Sequence, residues 1–137
     1  MRAAAACALA VALVVAGGPS LAAGQEFPAR QIKIIVPTAP GGAIDTTARV
    51  IGDKMRAKWG KPVIVENRPG ASMRVGAEDV QRSPPDGYTL LVAHDGTMAI
   101  NPLAFPDLPY DPIKNFTPLG LVISCLLYTS DAADDLT

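Results

Sequence analysis

Apolar and polar positions along the chain follow periods that change in a fixed order. "IKIIV", Ile32 to Val36, is short and almost continuously apolar, as a strand covered on both faces is. After Pro40-Gly41-Gly42, apolar residues recur at Ile44, Ala48, Ile51, Met55 and Trp59, at intervals that share one helical face. Arg49, Asp53, Lys54, Arg56 and Lys58 take the remaining surface, and Gly60 supplies a C-terminal stop. Val63 to Val65 predicts a second strand that runs into Pro69-Gly70. "SMRVGAEDVQR" reads as a short second helix with Ser72 as its N-cap, and Tyr88 to Ala93 as a third strand. Beyond "HDGT", Met98-Ala99-Ile100 predicts a helical turn. "NPLAFPDLPYDP" is too rich in proline for regular structure, and "FTPLGLVIS" predicts one more strand.

Strand, helix, strand, helix, strand with short connections predicts parallel strands joined by right-handed crossovers. The fold class is therefore α/β, an open sheet with parallel strands. The 137 residues correspond to about one domain, but the two ends read differently from the middle. Arg2, the apolar run Ala3 to Ala16, a break at Gly17-Gly18-Pro19-Ser20 and small residues up to Gly24 predict a secretory signal peptide over residues 1–24. The run is shorter than the roughly 18 residues a membrane span requires. The expected mature protein is thus periplasmic, without a stable membrane anchor. At the other end "CLLYTSDAADDLT", residues 125–137, continues no upstream period and resembles the translation of a sequencing-adapter remnant. It is expected to be a non-native tail, which leaves residues 25–124 as an incomplete α/β lobe.

Charge and cysteine content narrow the chemistry. With 12 basic and 13 acidic residues overall, and near neutrality between the ends, there is no basic stripe for nucleic acid. Cys7 and Cys125 both fall outside residues 25–124, so that segment offers no disulfide, Cys-bound zinc or thiol nucleophile. No metal or cofactor is expected.

In open α/β sheets ligands sit beyond the C-terminal ends of the strands. Three Gly-bearing loops leave strands there: "PTAPGGAID", "ENRPGASMR" and "AHDGTMA". Each leads toward a helix start, where unpaired N–H groups and a partial positive charge suit an anion. Glycine at Gly41 and Gly42 either permits the turn or admits a ligand to the backbone. The phosphate-cradling pattern G-x-x-x-x-G-K followed by Ser or Thr is absent, and "PGGAID" lacks the G-x-G-x-x-G spacing. A small carboxylate fits better: a few charge-assisted hydrogen bonds of about 1.5–3 kcal/mol each reach micromolar affinity after ordering costs.

"IKIIVPTAPGGAIDTTAR", "VIVENRPGASMRVGAE", "PPDGYTLLVAHDGTMAINP" and "LPYDPIKNFTPL" together resemble the N-terminal half of the Bug family. These are the extracytoplasmic substrate-binding proteins of tripartite tricarboxylate transporters. The resemblance implies the first lobe of a two-lobed periplasmic binding protein, a monomer that closes on a small organic acid and delivers it to integral membrane transporter subunits. It implies ligand contact from the loop Thr38, Ala39, Pro40, Gly41 and Gly42, from Ser72 and Met73, and from Gly96 and Thr97. Asp45 matches the family's acidic position in the first helical turn, where it contacts ligand or complements the helix dipole. Two departures stand out. Ser72-Met73-Arg74 replaces a Gly-Gly pair and a small polar residue, which narrows the space and sets the Arg74 cation beside the ligand. His94-Asp95 replaces small residues before Gly96-Thr97, making His94 a further candidate contact.

Two other readings remain open. A secreted α/β hydrolase would need a coherent catalytic set, and neither Ser72 nor Thr97 sits in a G-x-S-x-G context. A binding protein that reports to a sensor kinase would share the same binding chemistry.

Overall fold

A computed structural model describes residues 26–124. The expected signal segment and the expected foreign tail, residues 1–24 and 125–137, lie outside the described residues.

The first strand, β1 (Ile32–Val36), forms where expected and is buried everywhere except at Lys33. Ile32, Ile34 and Val36 project to one face and pack with Ala48 and Val63. Ile35, equally buried, points to the opposite face by strand alternation. Coverage on both sides is what the unbroken apolar run requires.

Helix α1 (Ala43–Trp59) lays Ile44, Ala48, Met55 and Trp59 on that first face. Gly52 completes the stripe: a Cβ there would lie 3.3 Å from Val65 Cγ2, so its bareness brings helix and sheet together. Gly60 ends the helix in the left-handed region, φ 63°, and its N–H donates to Arg56 O at 2.9 Å.

Next come β2 (Val63–Asn67), α2 (Arg74–Gln81) and β3 (Thr89–Leu91). A π-helical turn, Gly96–Ile100, then runs directly into the short helix α3 (Asn101–Ala104). β1 is central and both neighbours run parallel to it, in the order β2-β1-β3. Val36 stands opposite Asn67 and Ile35 opposite Leu91, so all three strands end at the same edge. From β1 the chain first moves outward to β2, then crosses back over to β3. Right-handed crossovers in opposite directions place α1 and α2 on opposite faces, so the switch point, where sheets of this kind bind ligands, lies between the ends of β1 and β3.

The structure corrects five details. β3 is confined to Thr89–Leu91 within the expected Tyr88 to Ala93, because only Lys33, Ile34 and Ile35 of β1 pair with it. β2 continues two residues past Val65, because Ile35 and Val36 extend the pairing to Glu66 and Asn67. Ser72 is not the N-cap of α2: it adopts φ 56°, and Met73 occupies the cap position without a side-chain hydrogen bond. The proline-rich stretch is not wholly irregular, since Pro102 sits at the start of α3, where its missing N–H costs nothing. Residues 116–124 form no strand: no strand of the sheet runs beside them, and Leu119 and Leu121 are 80% and 86% exposed.

Candidate functional site

The first loop answers the question its glycines raise. Gly41 has φ +90°, a conformation that L side chains rarely adopt, so glycine there serves the turn. Gly42 has φ −81°, which any residue can adopt, and nothing lies within 4 Å of where its Cβ would be. Its bareness serves no packing among the described residues; it leaves open space at the N-terminus of α1.

Asp45 holds this loop in place. Asp45 is 3% exposed, and its carboxylate accepts from the Gly41 N–H at 2.9 Å, from Arg49 Nε and Nη2 at 3.0 Å each, and from Asn67 Nδ2 at 2.9 Å. Four donors saturate it. The Arg49 guanidinium, then the Gly41 amide and Asn67, hold its pKa down at about 2. Asn67 extends the clasp by donating to Thr38 O at 3.1 Å and accepting from Arg49 Nη2 at 3.1 Å. The Gly41 amide is therefore turned inward. The open donors of this loop are the N–H groups of Gly42, Ala43 and Ile44 in the first turn of a 17-residue helix. Thr38 Oγ1 is buried without a hydrogen-bond partner.

The second loop is strained. Ala71, Ser72 and Met73 are all left-handed, with φ 46°, 56° and 68°. L-residues visit this region singly and at a cost, so three in succession need external support. That support comes from α3: Asn101, itself buried, donates from Nδ2 to Ser72 O at 2.8 Å. The Met73 methyl group lies over Gly96, only 2.4 Å from where a Gly96 Cβ would stand.

The third loop is closed on itself. Thr97 Oγ1 donates to His94 O at 2.7 Å and accepts from His94 N–H at 3.0 Å. The Thr97 N–H also donates to His94 O, and the Gly96 N–H donates to His94 Nδ1 and Asp95 Oδ1. Tyr110 then donates to Thr97 O at 2.8 Å, with Asn101 Nδ2 at 3.4 Å from the same hydroxyl. Asn101 and Tyr110 thus join the second and third loops, a role that no local pattern around them announces.

These contacts bring all three loops to one edge, as the sequence predicts. They also separate the expected contact residues by role. Ser72, Met73 and Arg74 follow β2 and Gly42 follows β1, two strands that end side by side. Gly96, Thr97 and Asp45 have their polar groups engaged internally. Thr97 Oγ1 bonds to the backbone of His94 and not to its ring, so these two residues form no hydroxyl–imidazole dyad. No cluster of three or more metal-ligating side chains occurs among the described residues. No helix among them is long and apolar enough to cross a membrane.

Comparison with known proteins points to one family. Residues 47–129 match the family described as tripartite tricarboxylate transporter family receptor. A protein encoded in the TAR-I ttuE-ttuC' intergenic region of Agrobacterium vitis is 39% identical over 83% of this chain and 33% of its own length. Protein BugT of Bordetella pertussis is 34% identical over 80% of this chain and 34% of its own. Among solved structures, MatC of Rhodopseudomonas palustris with bound malate is 43% identical with a TM-score of 0.66, covering 70% of this chain and 33% of that one. The periplasmic binding protein BugD is 37% identical with a TM-score of 0.64, covering 69% and 31%. Rpa4515 of R. palustris with adipate is 34% identical with a TM-score of 0.61, covering 64% and 29%. The chain spans about a third of the length of these relatives. BugD is described as a periplasmic binding protein, and the TM-scores of 0.61 to 0.66 show that these three structures share the fold of this chain over the part matched. On the family match, the relatives and the shared fold, the chain belongs to the Bug-type receptor family of tripartite tricarboxylate transporters.

Proposed function

We propose that this chain is the first lobe of a periplasmic receptor that captures a small organic carboxylate for a tripartite membrane transporter. The observation that carries this reading is the open N-terminus of α1 at the switch point between β1 and β3. There Gly42 has no neighbour within 4 Å of its Cβ position, and the first-turn N–H groups are free to meet an anion. The malate and adipate bound by two structural neighbours support an acid of this class. A second lobe, supplied by the remaining length of such proteins, would close over the ligand by hinge motion. An N-terminal signal would deliver the protein to the periplasm as a monomer, where the liganded form meets the membrane subunits.

Gly42→Val tests this reading. The backbone at Gly42 accepts a β-branched residue and the surrounding space is empty, so folding is retained while the side chain enters the open space at the start of α1. Calorimetric titration of the full-length receptor with citrate, malate and adipate should show micromolar binding of at least one acid. The Gly42→Val variant should lose it by about a hundredfold, the equivalent of about 2.7 kcal/mol. Unchanged affinity in that variant, or no acid bound by the unsubstituted protein, would overturn the proposal.

A further inference from the structure

Arg74 opens α2, where a cation works against the helix dipole. Its head group is nevertheless held firmly. Nε donates to Ala71 O at 2.8 Å, and the guanidinium lies over the Phe105 ring, 4.1 Å from its centroid. Stacking on a ring fixes the plane of the guanidinium, and the Nε bond fixes its rotation within that plane. Both supports belong to the loop after β2 and to the segment that braces it. Ala71 begins the strained turn that carries Ser72 and Met73, and Phe105 follows the helix whose Asn101 grips Ser72 O.

Among the described residues no carboxylate pairs with this cation. The carboxylates of α2 are already matched, Glu78 with Arg82 at 2.9 Å and Asp79 with Arg68 at 3.7 Å. Arg74 forms no salt bridge among the described residues, and only its Nε is hydrogen-bonded, so the two terminal nitrogens remain available. A planar guanidinium with its terminal N–H groups free is shaped for two-point binding of a carboxylate.

We infer that Arg74, positioned by Phe105, is the residue by which this site separates acids with a second anionic group from acids with one. The inference rests on the carboxylate reading above. The first carboxylate meets the main-chain donors at the start of α1, and the second is received by the Arg74 fork. Phe105 acts as a positioning residue through its ring and touches no ligand.

Calorimetry on the full-length receptor with succinate and with butyrate, acids of equal chain length, tests this. The unsubstituted protein should favour succinate. Arg74→Gln should weaken succinate about ten- to hundredfold and leave butyrate within about twofold. Phe105→Leu keeps the apolar bulk but removes the ring, and should lose much of the same preference, whereas Phe105→Tyr should retain it. Unchanged butyrate binding serves as the control that each variant is folded. Equal weakening of both acids, or an unaltered succinate-to-butyrate ratio in Arg74→Gln, would overturn this inference and leave the carboxylate reading standing. Binding of neither acid by the unsubstituted protein would overturn both.

Discussion

Asn67, the last residue of β2, donates to the Asp45 carboxylate at 2.9 Å and so ties the end of one strand to the loop that leaves another. The same amide group donates to Thr38 O at 3.1 Å, while its oxygen accepts from Arg49. One side chain thereby sets the distance between the first and second loops. Asn67→Ala removes all of these bonds and leaves Thr38 O with its partner lost. It should destabilise the fold by about 1–3 kcal/mol, read from the urea midpoint at unchanged slope. A shift below a few tenths of a kcal/mol would show that the clasp is dispensable.

Asp45 also sets a pH limit on the first loop. Its ordinary pKa of 3.8 is lowered to about 2 in the folded protein, chiefly by Arg49, then by the Gly41 amide and Asn67. A depressed carboxylate stabilises the fold above its unfolded pKa, and that contribution is lost as pH falls through the folded value. The stability advantage of the unsubstituted protein over Asp45→Asn should therefore be full at pH 5 and shrink between about pH 4 and pH 2. Asp111, also lowered by the backbone amides of Lys114 and Ile113, titrates in both proteins and cancels in the difference. Thermal midpoints for the pair across this range check the sign. A constant gap would exclude Asp45 as its source.

What could be read from the sequence follows the reach of each interaction. β1 and α1 are visible because their signals are local: an apolar run, then a stripe spaced by three and four, then a left-handed glycine. Parallel pairing follows from element order alone. Other features depend on partners far along the chain. Asn67 meets Asp45 across 22 positions, and Asn101 reaches Ser72 O across 29. No local period records such a pair. Ser72 has the composition of an N-cap, but α3 pulls its carbonyl and the cap passes to Met73. Arg49 sits on the polar face of α1, as its position predicts, yet its guanidinium is engaged by Asp45 and Asn67. The apolar residues of 116–124 carry strand composition, but composition cannot supply the neighbouring strand that pairing requires.

The left-handed turn Ala71-Ser72-Met73 makes a prediction of the opposite sign to most substitutions. An L-residue in this region costs roughly 1–2 kcal/mol, whereas glycine enters it freely but loses more chain entropy on folding. Ser72 contributes only its backbone carbonyl to the Asn101 bond, so removing its side chain breaks no bond to α3. Ser72→Gly should therefore stabilise the protein, by about 0.5–1 kcal/mol, with a corresponding rise in the urea midpoint. Destabilisation instead would mean that the Ser72 side chain supports the turn.

Gly76 sets helix propensity against close packing, and the magnitudes decide between them. Within a helix, alanine is favoured over glycine by about 1 kcal/mol. At Gly76, however, a Cβ would stand 3.0 Å from both Pro37 Cα and Pro37 Cβ, and 3.2 Å from Arg68 O. Two of these three atoms are backbone and cannot swing aside as the end of a side chain can. Pro37 begins the first loop and Arg68 the second, so α2 can yield only by lifting off both. Overpacking of this kind costs about 1–3 kcal/mol and outweighs the gain in propensity. Gly76→Ala should thus destabilise the fold overall, and it should weaken carboxylate binding in the full-length receptor by shifting Met73 and Arg74 together. Gly52, the buried glycine of α1, is the control. Its Cβ would meet only side-chain carbons, the nearest at 3.3 Å, so Gly52→Ala should cost less and leave affinity unchanged. Equal losses at the two positions, in chemical denaturation and in calorimetry, would show that the seat of α2 on Pro37 does not govern binding.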